Sequence, residues 1–320
     1  MGKVLITARS VATNKEGRAI LEAAGHEIVT HVGDGPWPES EMLSAIAGMD
    51  AAIVGLDAVT EAVLAAGAPT LRIIARNGVG YNAVDVAAAA RRGISVTLAP
   101  GANTVSVSEL VFGLMLSVAR RIPAQDVDIR KGLWKRAIGC ELFGKTLSVI
   151  GTGAIGSEVV KRASAFGMTI LANDVFEKPE LVESYGVQYV DRRRAFAEAD
   201  YVTLHLPVTP ETRHMVDAAV LATMKGSAII INSARGDLVN EADLHNALVS
   251  GQIAGYGADT FSSEPPDPNN PLLKLPNVVV TPHAGAYTAE AVARCSVMAA
   301  EEVVRVLSGQ PVLNPAPVPA

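Results

Sequence analysis

TLSVIGTGAIGSEVVKRASAFGMTILAND, residues 146–174, sets three glycines between an apolar run and an amphipathic one. Thr146 to Gly151 is a short β-branched run that reads as a strand. The residues after Gly156 space their apolar side chains as a helix does, and Thr169 to Asp174 reads as a second strand. Gly151, Gly153 and Gly156 therefore fall in the turn between strand and helix. Asp174 closes the second strand, 23 residues after Gly151. In that context each glycine has its own duty. Gly151 permits the tight turn, Gly153 lets the backbone approach a pyrophosphate, and Gly156 lets the helix pack closely on the strand. The helix N-terminus offers N–H donors and a partial positive charge to the phosphates. Asp174 is suited to accept hydrogen bonds from ribose hydroxyls and to repel the 2′-phosphate of NADP. Val175 and Phe176 supply no arginine to receive that phosphate, and Lys178 is the nearest cation, so NAD is expected over NADP. A Rossmann-like sheet without ligand is the bland alternative.

The same alternation extends both ways along the chain. Upstream, residues 3–8, 26–32, 51–56, 72–77 and 94–99 read as strands separated by alanine-rich helical stretches that end in glycine. Residues 103–121 read as a long helix capped by Asn103 or Thr104, followed by a polar helix carrying an exposed Trp134. Downstream, residues 146–151, 169–174, 187–190, 201–206, 228–233, 253–259 and 277–282 read as seven more strands. The final helix precedes a proline-rich tail, residues 314–320, expected to be disordered. The fold class is thus α/β, with two doubly wound, parallel-sheet (Rossmann-like) domains and a cleft between them. The expected division is residues 1–100 plus 288–320 for a discontinuous first domain and 101–287 for the dinucleotide domain.

Bulk properties narrow the function. The 320 residues are 49% apolar, 19% charged and 4% aromatic, a globular composition. A formal charge of −6 argues against nucleic acid or an anionic membrane as partner. No window approaches the roughly 20 apolar residues of a membrane span. Cys140 and Cys295 stand far apart, with no disulfide or metal-ligand spacing. A cytoplasmic, reduced protein without a metal site is expected.

Three further strand ends carry chemistry. An apolar strand runs into Arg235, a second strand leads to a stiff loop that places Glu264 before two prolines, and a third ends at Pro282-His283. Singly these read as a surface ion-pair arginine, a solvated loop acid and a structural histidine. Together they meet the needs of hydride transfer to a carbonyl. Arg235 can grip a carboxylate in a bidentate fork, His283 can give the proton to the forming alkoxide, and Glu264 can keep the imidazole protonated.

With those residues in view, the chain resembles the D-isomer-specific 2-hydroxyacid dehydrogenases, in the group of phosphoglycerate, glyoxylate and hydroxypyruvate reductases. The resemblance covers the whole length and rests on ARNGVGYNAVD (75–85), PGANTVSVSEL (100–110), residues 132–156, LHLPVTPETRHMV (204–216), INSARG (231–236) and VVVTPHAGAYT (278–288). It implies an NAD-dependent oxidoreductase acting on a small 2-keto or D-2-hydroxy acid. Arg235, Glu264 and His283 would be catalytic, with Arg235 and His283 also touching substrate. The backbone of Asn77, Gly78, Val79 and Gly80 would hold the substrate carboxylate, with Arg76 as a possible phosphate ligand. Val79, Thr104, Ala154, Ile155, Asp174, Leu206, Pro207, Thr212, Ser233, Ala234 and Asp259 would line the NAD site, Asp259 facing the carboxamide and Gly285 leaving room for the nicotinamide. The resemblance also implies a homodimer joined through the cofactor domain, on an arm that includes Trp134. Gly55 departs from the arginine that phosphoglycerate dehydrogenases tend to show in that region. Glutamate at 264 disfavours formate as substrate. Phosphite oxidation on the same scaffold, and an NAD-sensing corepressor-like interaction protein, are the alternative functions.

Overall fold

A computed structural model describes residues 1–31, 33 and 35–318. Val32, the end of the expected second strand, and Pro319-Ala320 of the expected tail lie outside the described residues. The chain forms two compact units, residues 1–103 with 286–320, and residues 104–285.

The first unit holds a five-stranded sheet of β1 (Lys3–Ile6), β2 (Glu27–Thr30), β3 (Ala51–Val54), β4 (Ile73–Arg76) and β5 (Ser95–Thr97), in the order β2-β1-β3-β4-β5. Every ladder is parallel. Ala51 to Val54 are all fully buried because helices cover both faces of the sheet, which is why the strand reads as an unbroken apolar run. One face is covered by the helices Lys15–Ala23 and Ala289–Leu307, whose Leu21, Ala299, Ala300, Val303 and Val306 pack on Val4, Ile6, Ile53 and Ile73. A short helix at Arg9–Thr13 follows β1.

The C-terminal segment differs from the disordered tail expected of its prolines. Leu98 N donates to Asn314 O at 2.9 Å and Ala316 N to Val96 O at 2.8 Å, so the segment runs along the outer edge of β5. Its turn is held by Glu302, a buried carboxylate on the last helix that accepts from Leu313 N (3.1 Å), Asn314 N (2.8 Å) and Asn314 Nδ2 (2.9 Å). Backbone donors gathered on one acid order a sequence that composition alone would leave loose.

The second unit is a seven-stranded parallel sheet of β6 (Thr146–Ile150), β7 (Thr169–Asn173), β8 (Gln188–Tyr189), β9 (Tyr201–Leu204), β10 (Ile229–Asn232), β11 (Gly255–Ala258) and β12 (Val278–Val280). Its order is β12-β11-β10-β9-β6-β7-β8, with the direction of winding reversing between β6 and β9. Two apolar clusters fill its faces, one led by Phe196, Ile230 and Leu244, the other by Met115, Leu147 and Val160. The long helix spans Thr104–Arg120, and Asn103 Oδ1 is buried with no hydrogen-bond partner, so its side-chain oxygen caps nothing. The next helix stops at Arg130, and Gly132 follows with φ 75°, so Trp134 lies beyond the helix rather than on it.

Candidate active site

The parallel strands of the second unit present all their C-terminal ends along one edge, and the glycine turn, Asp174, Arg235, Glu264 and His283 all lie in the exits from it. Gly151 has φ 96°, and a Cβ there would stand 2.7 Å from His205 O. A Cβ on Gly156 would meet Gly151 O at 2.0 Å, so helix and strand touch backbone to backbone. Gly153 differs: its φ is −59° and a Cβ would meet nothing within 4 Å. No described neighbour requires glycine there, which leaves the open space beside the helix start for a ligand to approach. Ala154 and Ile155 open the helix, where backbone N–H groups have no intrahelical acceptor.

Asp174 follows β7. Its Oδ2 accepts from Thr152 N at 2.5 Å and from Thr152 Oγ1 at 3.1 Å, and its Oδ1 accepts from Phe176 N at 3.2 Å. Burial alone would raise this carboxyl, but the donors of Thr152, Phe176 and Val175 outweigh it and hold Asp174 below its ordinary range. It is an ionised acceptor beside the glycine turn. Lys178 turns its Nζ to Ser157 Oγ at 3.0 Å.

Arg235, Glu264 and His283 leave the neighbouring strands β10, β11 and β12. Asn232, fully buried at the end of β10, shapes the first exit: its Nδ2 donates to Arg235 O at 2.8 Å and its Oδ1 accepts from Ala234 N at 3.1 Å. Gly236 lets this turn lie against the β11 exit, since a Cβ there would be 1.9 Å from Phe261 C and 2.2 Å from Ser262 N. Phe261 N in turn donates to Glu264 Oε1 at 3.1 Å, and Glu264 Oε2 pairs with His283 Nδ1 at 2.7 Å. Burial raises Glu264, yet the contacts with His283, Phe261 N and the Arg235 charge prevail and its pKa is lowered. An ionised carboxylate only accepts, so Nδ1 carries a proton and Nε2 is the nitrogen available for chemistry. Desolvation pulls the Arg235 guanidinium down and Glu264 counters it. Arg235 remains cationic. His283 has φ 51°, an unusual conformation for a non-glycine residue.

Asp259 holds that conformation. Its Oδ1 accepts from Thr281 Oγ1 (2.5 Å) and Ala284 N (2.7 Å), and its Oδ2 from Gly285 N (2.8 Å). Both oxygens are engaged by the histidine loop, so Asp259 clamps that loop. Burial raises its pKa against those three donors. Gly285 is small for the same reason, because a Cβ would approach Asp259 Oδ2 to 3.0 Å and Val107 Cγ2 to 3.2 Å. Its size therefore makes room for Asp259.

The remaining residues divide. Thr104 opens the long helix, half-buried Leu206 and exposed Pro207 follow β9, and Ser233 and Ala234 follow β10. Ser233 Oγ is buried without a protein partner, an acceptor and donor left over at the sheet edge. Thr212 Oγ1 donates to Pro207 O at 2.7 Å and accepts from Thr209 N at 2.7 Å, so its hydroxyl shapes its own loop. Arg76, Asn77, Gly78, Val79 and Gly80 belong to the first unit. There Arg76 Nε donates to Gly80 O at 2.7 Å and Arg76 Nη1 to Asn77 O, tying the loop to itself. Asn77 Nδ2 donates to Ser10 Oγ at 2.8 Å while its Oδ1 is buried without a partner.

Residues 112–285, more than half of the chain, match the family model described as D-isomer specific 2-hydroxyacid dehydrogenase, NAD binding domain. The chain belongs to the D-isomer specific 2-hydroxyacid dehydrogenase family. Among its relatives, a D-3-phosphoglycerate dehydrogenase of Methanocaldococcus jannaschii is 42% identical over 97% of this chain and 58% of that protein. A hydroxypyruvate reductase of Thermotoga maritima is 43% identical over 84% of this chain and 88% of that one. This chain thus spans little more than half the length of the phosphoglycerate dehydrogenases it matches and most of the shorter reductase. The crystal structure of the TT0316 protein from Thermus thermophilus superposes with a TM-score of 0.90 at 35% identity, covering 98% of this chain and 99% of that one.

The family's nicotinamide cofactor fits the residues present. The open space at Gly153, the unpartnered Ser233 hydroxyl and the ionised Asp174 stand along one sheet edge. From β7 to β10 is three strand spacings, about 14 Å. Sequence reading missed the clamping roles of Asn232 and Asp259. The available signal was a polar residue closing an otherwise apolar strand, IIIN and GYGAD. The contact at Gly236 left no such signal.

Proposed function

We propose that the protein is an NAD-dependent D-2-hydroxyacid dehydrogenase acting on a small acid of the glyoxylate, hydroxypyruvate or 3-phosphoglycerate type. The observation that carries the reading is the Glu264–His283 pair at 2.7 Å beside Arg235, on three adjacent strands of the edge that bears the glycine turn. Bound there, the nicotinamide supplies or accepts the hydride at substrate C2. Arg235 grips the carboxylate and polarises the carbonyl oxygen. His283 Nε2 gives a proton to that oxygen in reduction and takes one from the hydroxyl in oxidation, while Glu264 fixes the tautomer and stabilises the imidazolium. The Asp174 carboxylate, ionised and facing the ribose, favours NAD over NADP.

We also read the protein as a cytoplasmic homodimer. The helix Ile122–Arg130 buries no residue, and the stretch after it exposes Trp134 (84%), Ile138 (95%) and Phe143 (75%). A second copy covering this apolar arm accounts for it. The deciding test is a panel of 2-keto acids, phosphohydroxypyruvate among them, with NADH and NADPH, run beside phosphite with NAD. Keto-acid reduction that falls by orders of magnitude in His283→Ala, with NADH binding kept, supports the reading. Wild-type turnover in that variant, or phosphite-dependent NADH production alone, overturns it.

A further inference from the structure

Behind Asp174 lies a chain of hydrogen bonds that neither the glycine motif nor the triad uses. Lys178 N donates to Tyr189 OH at 3.0 Å, Tyr189 OH donates to Thr152 Oγ1 at 3.0 Å, and Thr152 Oγ1 donates to Asp174 Oδ2 at 3.1 Å. Its direction is set at both ends. A backbone N–H can only donate, so the tyrosine oxygen accepts from Lys178 and turns its proton to Thr152. An ionised carboxylate can only accept, so the threonine proton turns to Asp174. Thr152 is fully buried, and Tyr189 comes from β8, the edge strand beyond β7. Aligned donors in a chain polarise one another and hold the terminal acceptor in one orientation.

We propose that Tyr189 is a positioning residue for cofactor choice: through Thr152 its hydroxyl fixes the Asp174 carboxylate toward the adenosine ribose and thereby favours NAD over its 2′-phosphorylated form. With Oδ2 saturated from behind by Thr152, Oδ1 is the oxygen left to meet a ribose hydroxyl, held on the protein side by the long bond from Phe176 N. The same tyrosine oxygen anchors the backbone of Lys178, whose ammonium is directed to Ser157 and not to the carboxylate. Loss of the hydroxyl loosens the orientation of the acid, and discrimination erodes with it.

The inference rests on the reading of Asp174 as the ribose ligand, and the experiment separates the two. Dissociation constants for NADH and NADPH are measured by fluorescence titration on wild type, Tyr189→Phe, Thr152→Val, Asp174→Ala and the Asp174→Ala/Tyr189→Phe double variant, with thermal melts as a folding control. The NADPH-to-NADH ratio of dissociation constants should fall about three- to ten-fold in Tyr189→Phe and in Thr152→Val, the size a net hydrogen-bond contribution carries. In the Asp174→Ala background, Tyr189→Phe should change it by less than about two-fold, because the relay acts only through that carboxylate. A merely structural tyrosine would weaken both cofactors alike and leave the ratio where it was. An unchanged ratio in folded Tyr189→Phe and Thr152→Val, or an equal effect with and without Asp174, overturns the relay alone. Wild type that binds the two cofactors equally, or binds neither, overturns the ribose-ligand reading and the relay with it.

Discussion

Replacing Gly236 by alanine tests how tightly the triad depends on a contact that involves no catalytic side chain. The added Cβ would sit 1.9 Å from Phe261 C, 2.2 Å from Ser262 N and 2.3 Å from Phe261 O. All three are backbone atoms, so no side chain can rotate away. To restore van der Waals separation the β11 exit must retreat by about 1.5 Å. Phe261 N holds Glu264 Oε1, and Glu264 holds His283, so the displacement passes directly into the acid–base pair. A misplacement of about 1 Å costs on the order of a hundredfold in rate, and overpacking costs about 1–3 kcal/mol of stability. Gly236→Ala should therefore lower kcat/KM with the best keto acid about a hundredfold and Tm by roughly 3–10 °C. NADH affinity, held in large part at the glycine turn and Asp174 beyond β9, should fall by far less than kcat/KM. Gly226→Ala is the matched control, because a Cβ there meets nothing within 4 Å. A Gly236→Ala enzyme with wild-type kcat/KM would refute the claim that this backbone contact positions the pair.

Other expectations follow from the same geometry. Arg235→Lys keeps the charge but loses the planar fork, so KM for the keto acid should rise about ten- to a hundredfold with NADH binding unchanged, checked by initial rates against fluorescence titration. Asp174, Asp200 and Glu264 all have pKa values lowered by folding. Their stabilisation is complete above the unfolded carboxylate values of about 4 and is lost as pH falls through the lower folded values. Asp259, raised by burial, works in the opposite sense. Urea midpoints should consequently hold from about pH 7 to 5 and drop below about pH 4, with a shallower drop in Asp200→Asn, which gives up the contacts to Thr146 N and Lys225. Ile138→Asp on the exposed arm should convert a dimer to monomer in sedimentation analysis; an unchanged dimer would place the subunit contact elsewhere.

What could be read from residues alone was what burial writes locally. Twelve strands were legible because sheets covered on both faces give runs such as IIIN and AAIV with no polar interruption before the strand ends. The doubly wound pattern followed from their alternation with helices, and the acid, arginine and histidine stood out as titratable groups at strand exits. Features decided by distant backbone were not legible. Nothing near Gly236 announces Phe261, nothing near Tyr189 announces Thr152, and nothing in NPAPVPA announces Glu302. Local pattern also misplaced Trp134, because the left-handed Gly132 ends a helix that the polar run otherwise allows to continue.

The first sheet takes part of its cover from residues made more than two hundred positions later. Val4, Ile6, Ile53 and Ile73 pack on Ala299, Ala300, Val303 and Val306, and β5 is edged by residues near 315. During synthesis the stretch 1–103 therefore emerges with one apolar face only partly covered, while residues 104–285 contain everything their own core requires. The order of maturation is thereby inverted relative to the order of translation. The unit begun second can close first, and the unit begun first must keep a sticky surface shielded until its last helix is released.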